Sequence, residues 1–201
     1  MADYCSLSEL KTSLRITDNV DNSLLSQAIT SASGWVDGYC GRTFEAAGTA
    51  ASVRDFIPSS RYQVLPIDDA VAITQVAIDD GLDGSFATVL TTADWQAEPL
   101  NSRAGGLTLP FMRLRPLEDG YWPLDVFENR ATVRVTARWG WSETPNAVKQ
   151  STILHAARLF TRLDSPLGVA GFGDMGAMRV SRYADPDVEM LLKPYRRQQL
   201  V

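Results

Sequence analysis

The sequence of 201 residues holds one histidine and two cysteines, and this scarcity excludes much chemistry. A structural zinc site needs several His, Cys or carboxylate ligands at tight spacing. The lone His155 and the widely separated Cys5 and Cys40 offer none. Both cysteines read as packing residues, kept as thiols by a reducing cytosol. No apolar run is long enough to span a bilayer, and Met1-Ala2-Asp3-Tyr4 lacks the basic region that opens a signal peptide. Folding in the cytoplasm of the producing cell is therefore expected. A Gly-x-Ser-x-Gly nucleophile elbow is also missing. A Ser–His–Asp arrangement around His155 stays open at this level, because triads are defined by geometry and not by order. His155 itself reads as a helix residue with a local hydrogen bond. No metal, cofactor or catalytic residue is expected.

What is present suits an ordinary globular protein: 45% hydrophobic and 21% charged residues. The length fits one domain, or a domain with an inserted subdomain, and a chain of this size buries roughly 70% of the surface exposed when unfolded. The net charge of -5 is unevenly spread. Residues 1–178 carry 14 basic and 21 acidic side chains, whereas Arg179, Arg182, Lys193, Arg196 and Arg197 outnumber Asp185, Asp187 and Glu189 beyond them. An acidic body opposes general DNA binding, whose affinity comes largely from phosphate neutralisation. A basic tail on such a body points to a local contact with an acidic partner.

The order of periodicities predicts an α+β fold, helix then sheet then helix. Ser6-Leu7-Ser8-Glu9 fits a capping box that opens a short helix to about Leu14. After a polar break at Asp18 to Asp21, Leu25, Ala28, Ile29, Ala32, Val36 and Tyr39 recur at helical spacing, and Gly41 stands where a left-handed cap would end that helix. Val53 to Ile57 and Tyr62 to Leu65 read as short strands. Val71 and Ile73 differ in parity from Val76 and Ile78, which predicts a bulge or bend near Thr74-Gln75. Asp79-Asp80-Gly81 reads as a turn before a strand near Phe86 to Leu90. From Ala131 to Trp139, Ala131, Val133, Val135, Ala137 and Trp139 alternate with Thr132, Arg134, Thr136 and Arg138, as in an antiparallel strand with one wet face.

Pro99, Gly105, Gly106, Pro110, Pro116, Gly120 and Pro123 mark residues 92–130 as loops with an edge strand. Thr144-Pro145 predicts a helix start with Thr as the cap, followed by an apolar face of Val148, Thr152, Ala156, Leu159 and Leu163. A flexible glycine-rich stretch is expected at 167–178, then a strand near Arg179 to Tyr183 and a last helix from about Pro186, limited by Pro194. The organisation is one domain over 1–201: N-terminal helices 1–44, a β-rich insert 50–141, a core helix 144–164, and a C-terminal loop and arm 167–201. Trp139 and Trp141 belong to a core or to an interface between subunits.

Two motifs look chemical. Gly171-Phe172-Gly173-Asp174-Met175-Gly176 has the letters of a dinucleotide fingerprint, which requires a strand before it and a helix after it; here a helix precedes and a basic strand-like segment follows. Asp79, Asp80 and Asp83 fail the calcium-loop spacing, since Gly81 occupies the third position.

Trp35-Val36-Asp37-Gly38-Tyr39-Cys40-Gly41-Arg42-Thr43-Phe44 resembles the end of the N-terminal helix pair in head-tail connector (head-to-tail adaptor) proteins of long-tailed bacteriophages. Arg138-Trp139-Gly140-Trp141, followed by Pro145, Val148, Lys149 and the helix to Phe160, resembles that family's return from its sheet insert to its core helix. Gly171-Phe172-Gly173, Arg179 to Tyr183, Asp185 to Val188 and Pro194 to Arg197 look like an actinobacterial-phage variant. The resemblance implies a virion neck protein assembled in the bacterial host: a homo-oligomeric ring, commonly twelve-fold, beneath the portal. Such a ring extends the DNA channel toward a head-closure, stopper or tail-terminator protein, without specific DNA binding and without a membrane. On that basis Arg179, Arg182, Tyr183, Tyr195, Arg196 and Arg197 are the expected portal contacts, since Arg and Tyr are enriched in interface hot spots. Deletion of residues 184–201 is expected to leave a folded chain unable to join heads. Two alternatives stand beside this reading: a DNA-binding virion protein using Arg134, Arg138 and the C-terminal arginines, and a small virion-associated enzyme centred on His155.

Overall fold

The capping box forms as the sequence dictates. In this computed structural model, which describes residues 2–101, 108–117, 120–162, 169–171, 177–179 and 185–197, the Ser6 hydroxyl accepts from the Glu9 N–H and the Glu9 carboxylate accepts from the Ser6 N–H. Helix α1 (Leu7–Leu14) follows and buries Leu10. Helix α2 (Asn22–Cys40) buries Leu25, Ala28, Ile29, Ala32 and Val36 as its periodicity predicts, but Cys40 and not Tyr39 completes the buried face, Tyr39 being only half-buried. It ends at Gly41, whose φ of 65° is the left-handed conformation that glycine adopts without cost. Helix α3 (Asn146–Thr161) and helix α4 (Pro186–Leu192) complete the helical part. Pro145 takes the cap position of α3, and the Thr144 hydroxyl, expected to cap, instead donates to the Phe44 carbonyl. The Asp185 side chain caps α4, and a 3-10 turn over Lys193–Tyr195 closes it at Pro194.

The chain divides into two compact units, residues 1–45 with 144–201, and residues 46–143. In the helical unit, Leu10, Leu25, Ile29, Ala32 and Ala156 form the common core. Cys5 and Cys40 are buried thiols, and burial raises each to about 11.

The sheet unit is antiparallel. Strand β1 (Ser52–Phe56) pairs with β6 (Val133–Trp139), β6 with β2 (Leu65–Ile78), β2 with β5 (Phe111–Pro116), and β5 with β4 (Trp95–Glu98); β3 (Thr88–Leu90) joins the far end of β2. Register shifts between Ile73 and Gln75, and again between Ala70 and Ala72, supply the expected bulge and one more. These shifts let Leu65, Ile67, Val76 and Ile78 share one core with Leu114, Trp122, Val133, Val135 and Ala137.

Three predicted strands are trimmed. Tyr62 to Val64 stays outside the ladder; Trp122 braces this stretch instead, its backbone N–H donating to the Arg61 carbonyl and its indole N–H to the Gln63 carbonyl. Phe86 has a φ of 48°, incompatible with a strand, and its ring lies 3.9 Å beneath the Arg134 guanidinium. Thr132, predicted on the wet face, is buried and donates to the Pro123 carbonyl. Trp141 is buried, its indole N–H donating to Asp69 Oδ2 at 3.1 Å. Trp139 is only half-buried, with the Arg54 guanidinium 4.7 Å from its ring.

Strand β7 (Val169–Gly171) pairs antiparallel with β8 (Ala177–Arg179). Gly171 ends β7 and Ala177 opens β8, so a strand, not the helix a dinucleotide fingerprint needs, follows the motif, and a strand rather than the expected helix precedes it; residues 172–176 themselves lie outside the described residues. The expected flexible stretch at 167–178 and the strand residues after Arg179 fall largely outside the described residues.

Candidate interaction surface

The C-terminal segment is tied to the end of α2 by an aromatic chain. The Tyr195 ring meets Phe44 edge-on at 6.0 Å, and Phe44 meets Tyr4 edge-on at 5.8 Å. The Tyr4 hydroxyl accepts from the Phe44 N–H at 2.9 Å and donates to Asp37 Oδ1, while the Tyr4 N–H donates to Ser33. Burial and the Asp37 carboxylate push the Tyr4 hydroxyl well above its ordinary value, so it stays a neutral donor. The Arg197 N–H donates to the Cys40 carbonyl at 2.8 Å, satisfying an acceptor that the end of α2 leaves open.

A second, more exposed row runs beside it. The Arg196 guanidinium lies 5.0 Å from the Tyr39 ring, Tyr39 stacks on Trp35 at 5.1 Å, and Trp35 contacts the His155 ring at 4.6 Å. Trp35 and Tyr39 are one helical turn apart, so the stack follows from i,i+4 spacing. Burial, then the charges of Arg158 and Arg162, lower the His155 pKa, so the ring is neutral near pH 7. The expected local hydrogen bond is not made at Nδ1, which is buried without a partner; the ring is held by Trp35.

Of the six residues predicted to meet a partner, Tyr195, Arg196 and Arg197 converge on the end of α2. Arg196 is exposed. Tyr195 is 7% exposed, so its ring is part of the core and not a contact surface. Arg179 ends β8, and Arg182 and Tyr183 lie outside the described residues. Sequence reasoning missed the ladder of Tyr39, Trp35 and His155 behind Arg196; the signal was the aromatic pair at i,i+4.

The rival surfaces are less well equipped. Arg134 is held in a two-pronged pair with Asp55 at 2.7 and 2.8 Å, and Arg54 pairs with Asp68 at 2.6 Å. Arg138 donates to the Gly48 carbonyl. These cations are spent on neighbours and offer little to phosphate. Among the described residues, no group of three or more His, Cys, Asp or Glu could hold a metal, and no helix is long and apolar enough to cross a membrane.

The fold has counterparts among solved particle structures. The chain is similar to a chain of the neck of an empty gene transfer agent particle computed with C6 symmetry, with a TM-score of 0.51 and 17% identity over 97% of this chain and 90% of that one. It is similar to one in the virion of a native gene transfer agent particle, with a TM-score of 0.50, again at 17% identity over 97% and 90%. Residues 4–79, which span α1, α2, β1 and β2, match the family described as phage gp6-like head-tail connector protein, the resemblance its helix pair carried from the start. No curated protein matches the chain.

Proposed function

We propose that this chain is a structural protein of a virion neck: a ring-forming adaptor beneath a portal that extends the DNA channel toward the tail-side connector. The family match over residues 4–79 carries this reading, and the likeness of fold across nearly the whole chain supports it. Ring subunits meet through two different surfaces that close by rotation, commonly twelve-fold in this family. Charge is distributed suitably. The sheet unit holds 13 acidic and 8 basic residues, whereas the helical unit is balanced at 11 and 11. An acidic sheet unit repels DNA sliding past it.

The portal-binding surface in this proposal is the C-terminal arm, with Arg179, Arg182, Tyr183, Arg196 and Arg197 as contacts and Tyr195 as the anchor that fixes Arg196 and Arg197 in place. Arg196 is the sharpest test, because it is exposed and supported from behind by Tyr39. The Arg196→Glu protein should stay folded, its melting temperature lowered by only a few degrees, and fail to attach to purified tailless heads. Normal attachment would remove the arm from the portal contact. No catalytic role is assigned to His155, whose ring is used to pack Trp35.

A further inference from the structure

Phe127 is 93% exposed and Val126 is 74% exposed, side by side on a turn that the structure holds firmly. The Asp125 carboxylate is buried beneath them. Its Oδ1 accepts from the Phe127 N–H at 3.2 Å and the Glu128 N–H at 3.0 Å, and its Oδ2 accepts from Arg130 Nε at 2.9 Å. Arg130 also donates to the Leu82 carbonyl at 3.0 Å, tying the turn to the loop between β2 and β3. Asn129 takes a left-handed φ of 53° and donates its N–H to the Asp125 carbonyl, which closes the turn. Five polar contacts thus present two adjacent apolar side chains to water, an arrangement that folding alone does not require.

The same end of the sheet carries Ile57, 51% exposed, just past the strand residue Phe56, whose carbonyl accepts from Thr132. The surroundings are acidic: Asp80, Asp83 and Glu128 are exposed beside the buried Asp79 and Asp125, with Arg130 as the local cation. An apolar tip with an acidic collar is repelled by another acidic sheet unit. It suits a surface with apolar side chains and no excess of acid. The helical unit answers that description, since it is charge-balanced, holds all three lysines of the chain, and exposes Val20, Leu24 and Met190.

We propose that the 125–130 turn is the plug of the contact between ring neighbours, Phe127 and Val126 of one copy seating on the helical unit of a second copy. A tip on one unit and a receptor on the other is the heterologous arrangement that builds closed rings, so this inference rests on the ring reading above. A preorganised aromatic is the usual form of an interface hot spot, because little side-chain entropy remains to be lost.

Self-assembly of the full chain, free and on purified heads, is compared with that of Phe127→Ser by sedimentation velocity and negative-stain microscopy. Leu100→Ser, an exposed apolar change elsewhere on the sheet unit, should leave assembly unchanged; an equal loss there would overturn a specific role for Phe127. Phe127→Ser should weaken assembly on the order of thirtyfold or more, the effect of losing one hot spot, with an unchanged melting temperature. In parallel, Phe127→Cys carrying a benzophenone is mixed with isotope-labelled chain, which is feasible because both native thiols are buried. Crosslinks should land in residues 1–45 or 144–201 of the labelled copy. If Phe127→Ser assembles normally, or the crosslinks land in residues 46–143, the plug is wrong while the ring reading stands. If the unaltered chain forms no oligomer even on heads, both are overturned.

Discussion

Removal of residues 184–201 takes away more than a charged tail. Val188 and Leu192 are fully buried on α4, and Tyr195 is 7% exposed against Phe44. Burial of each such side chain is worth about 1.5–3 kcal/mol, so their loss costs roughly 5–9 kcal/mol at the upper bound set by an extended unfolded chain. The cap at Asp185 adds about 1 kcal/mol. Whole domains are stable by only about 5–15 kcal/mol, so the truncated chain should lose its helical unit. This corrects the sequence-based expectation that the deletion leaves a folded protein, which treated the arm as surface. Calorimetry with far-ultraviolet circular dichroism measures it directly: the truncated chain should lose helical signal and the transition of the helical unit, while strand signal persists. Arg196→Glu removes one exposed cation–π contact, worth about 0.5–1 kcal/mol, and should shift that transition by only a few degrees, about 4–8 °C per kcal/mol for a unit of this size. If the truncated protein melts within about 2 °C of the full chain, α4 does not hold the helical unit together, and the assignment of Tyr195 to the core is wrong.

Further outcomes follow from single sites. Gly120→Ala would place a Cβ 2.2 Å from the Asp94 carbonyl oxygen and 2.9 Å from that of Leu117. Backbone must move, so a loss of about 3 kcal/mol or more is expected in urea unfolding followed by circular dichroism. The Ser6 hydrogen bonds, then Lys149, hold Glu9 at about 2, below its ordinary 4.5. A carboxylate lowered on folding adds stability above the unfolded value and loses it as pH falls through the folded one. The α1 contribution should therefore decline between about pH 4.5 and 2, and Glu9→Gln should remove that decline; because Glu9 is well exposed, the effect stays within about 1 kcal/mol.

Much of this architecture could be read from local pattern. Ser6 with Glu9, Gly41 after Cys40, and the parity change between Ile73 and Val76 are each set by neighbouring residues, and each appears where expected. The hidden features depend on distant partners. Nothing near Thr144 shows that its hydroxyl would serve Phe44, a hundred positions earlier. The pairing of β4 with β5 crosses a proline- and glycine-rich stretch that reads as loop. Tyr195 lies among Lys193, Arg196 and Arg197, and its charged neighbours conceal that its ring completes a core begun at Tyr4. The surface around Arg196 was half legible: its cations were visible in the composition, but their aromatic support on α2 was not.

The central claim is a position in a particle, and electron microscopy of the phage neck tests it most directly. The account predicts a closed ring of subunits of 22.1 kDa between portal and tail, with the arm containing Arg196 turned toward the portal. A neck with no ring of this protein, or a ring whose residues 185–197 face away from the portal, would contradict it.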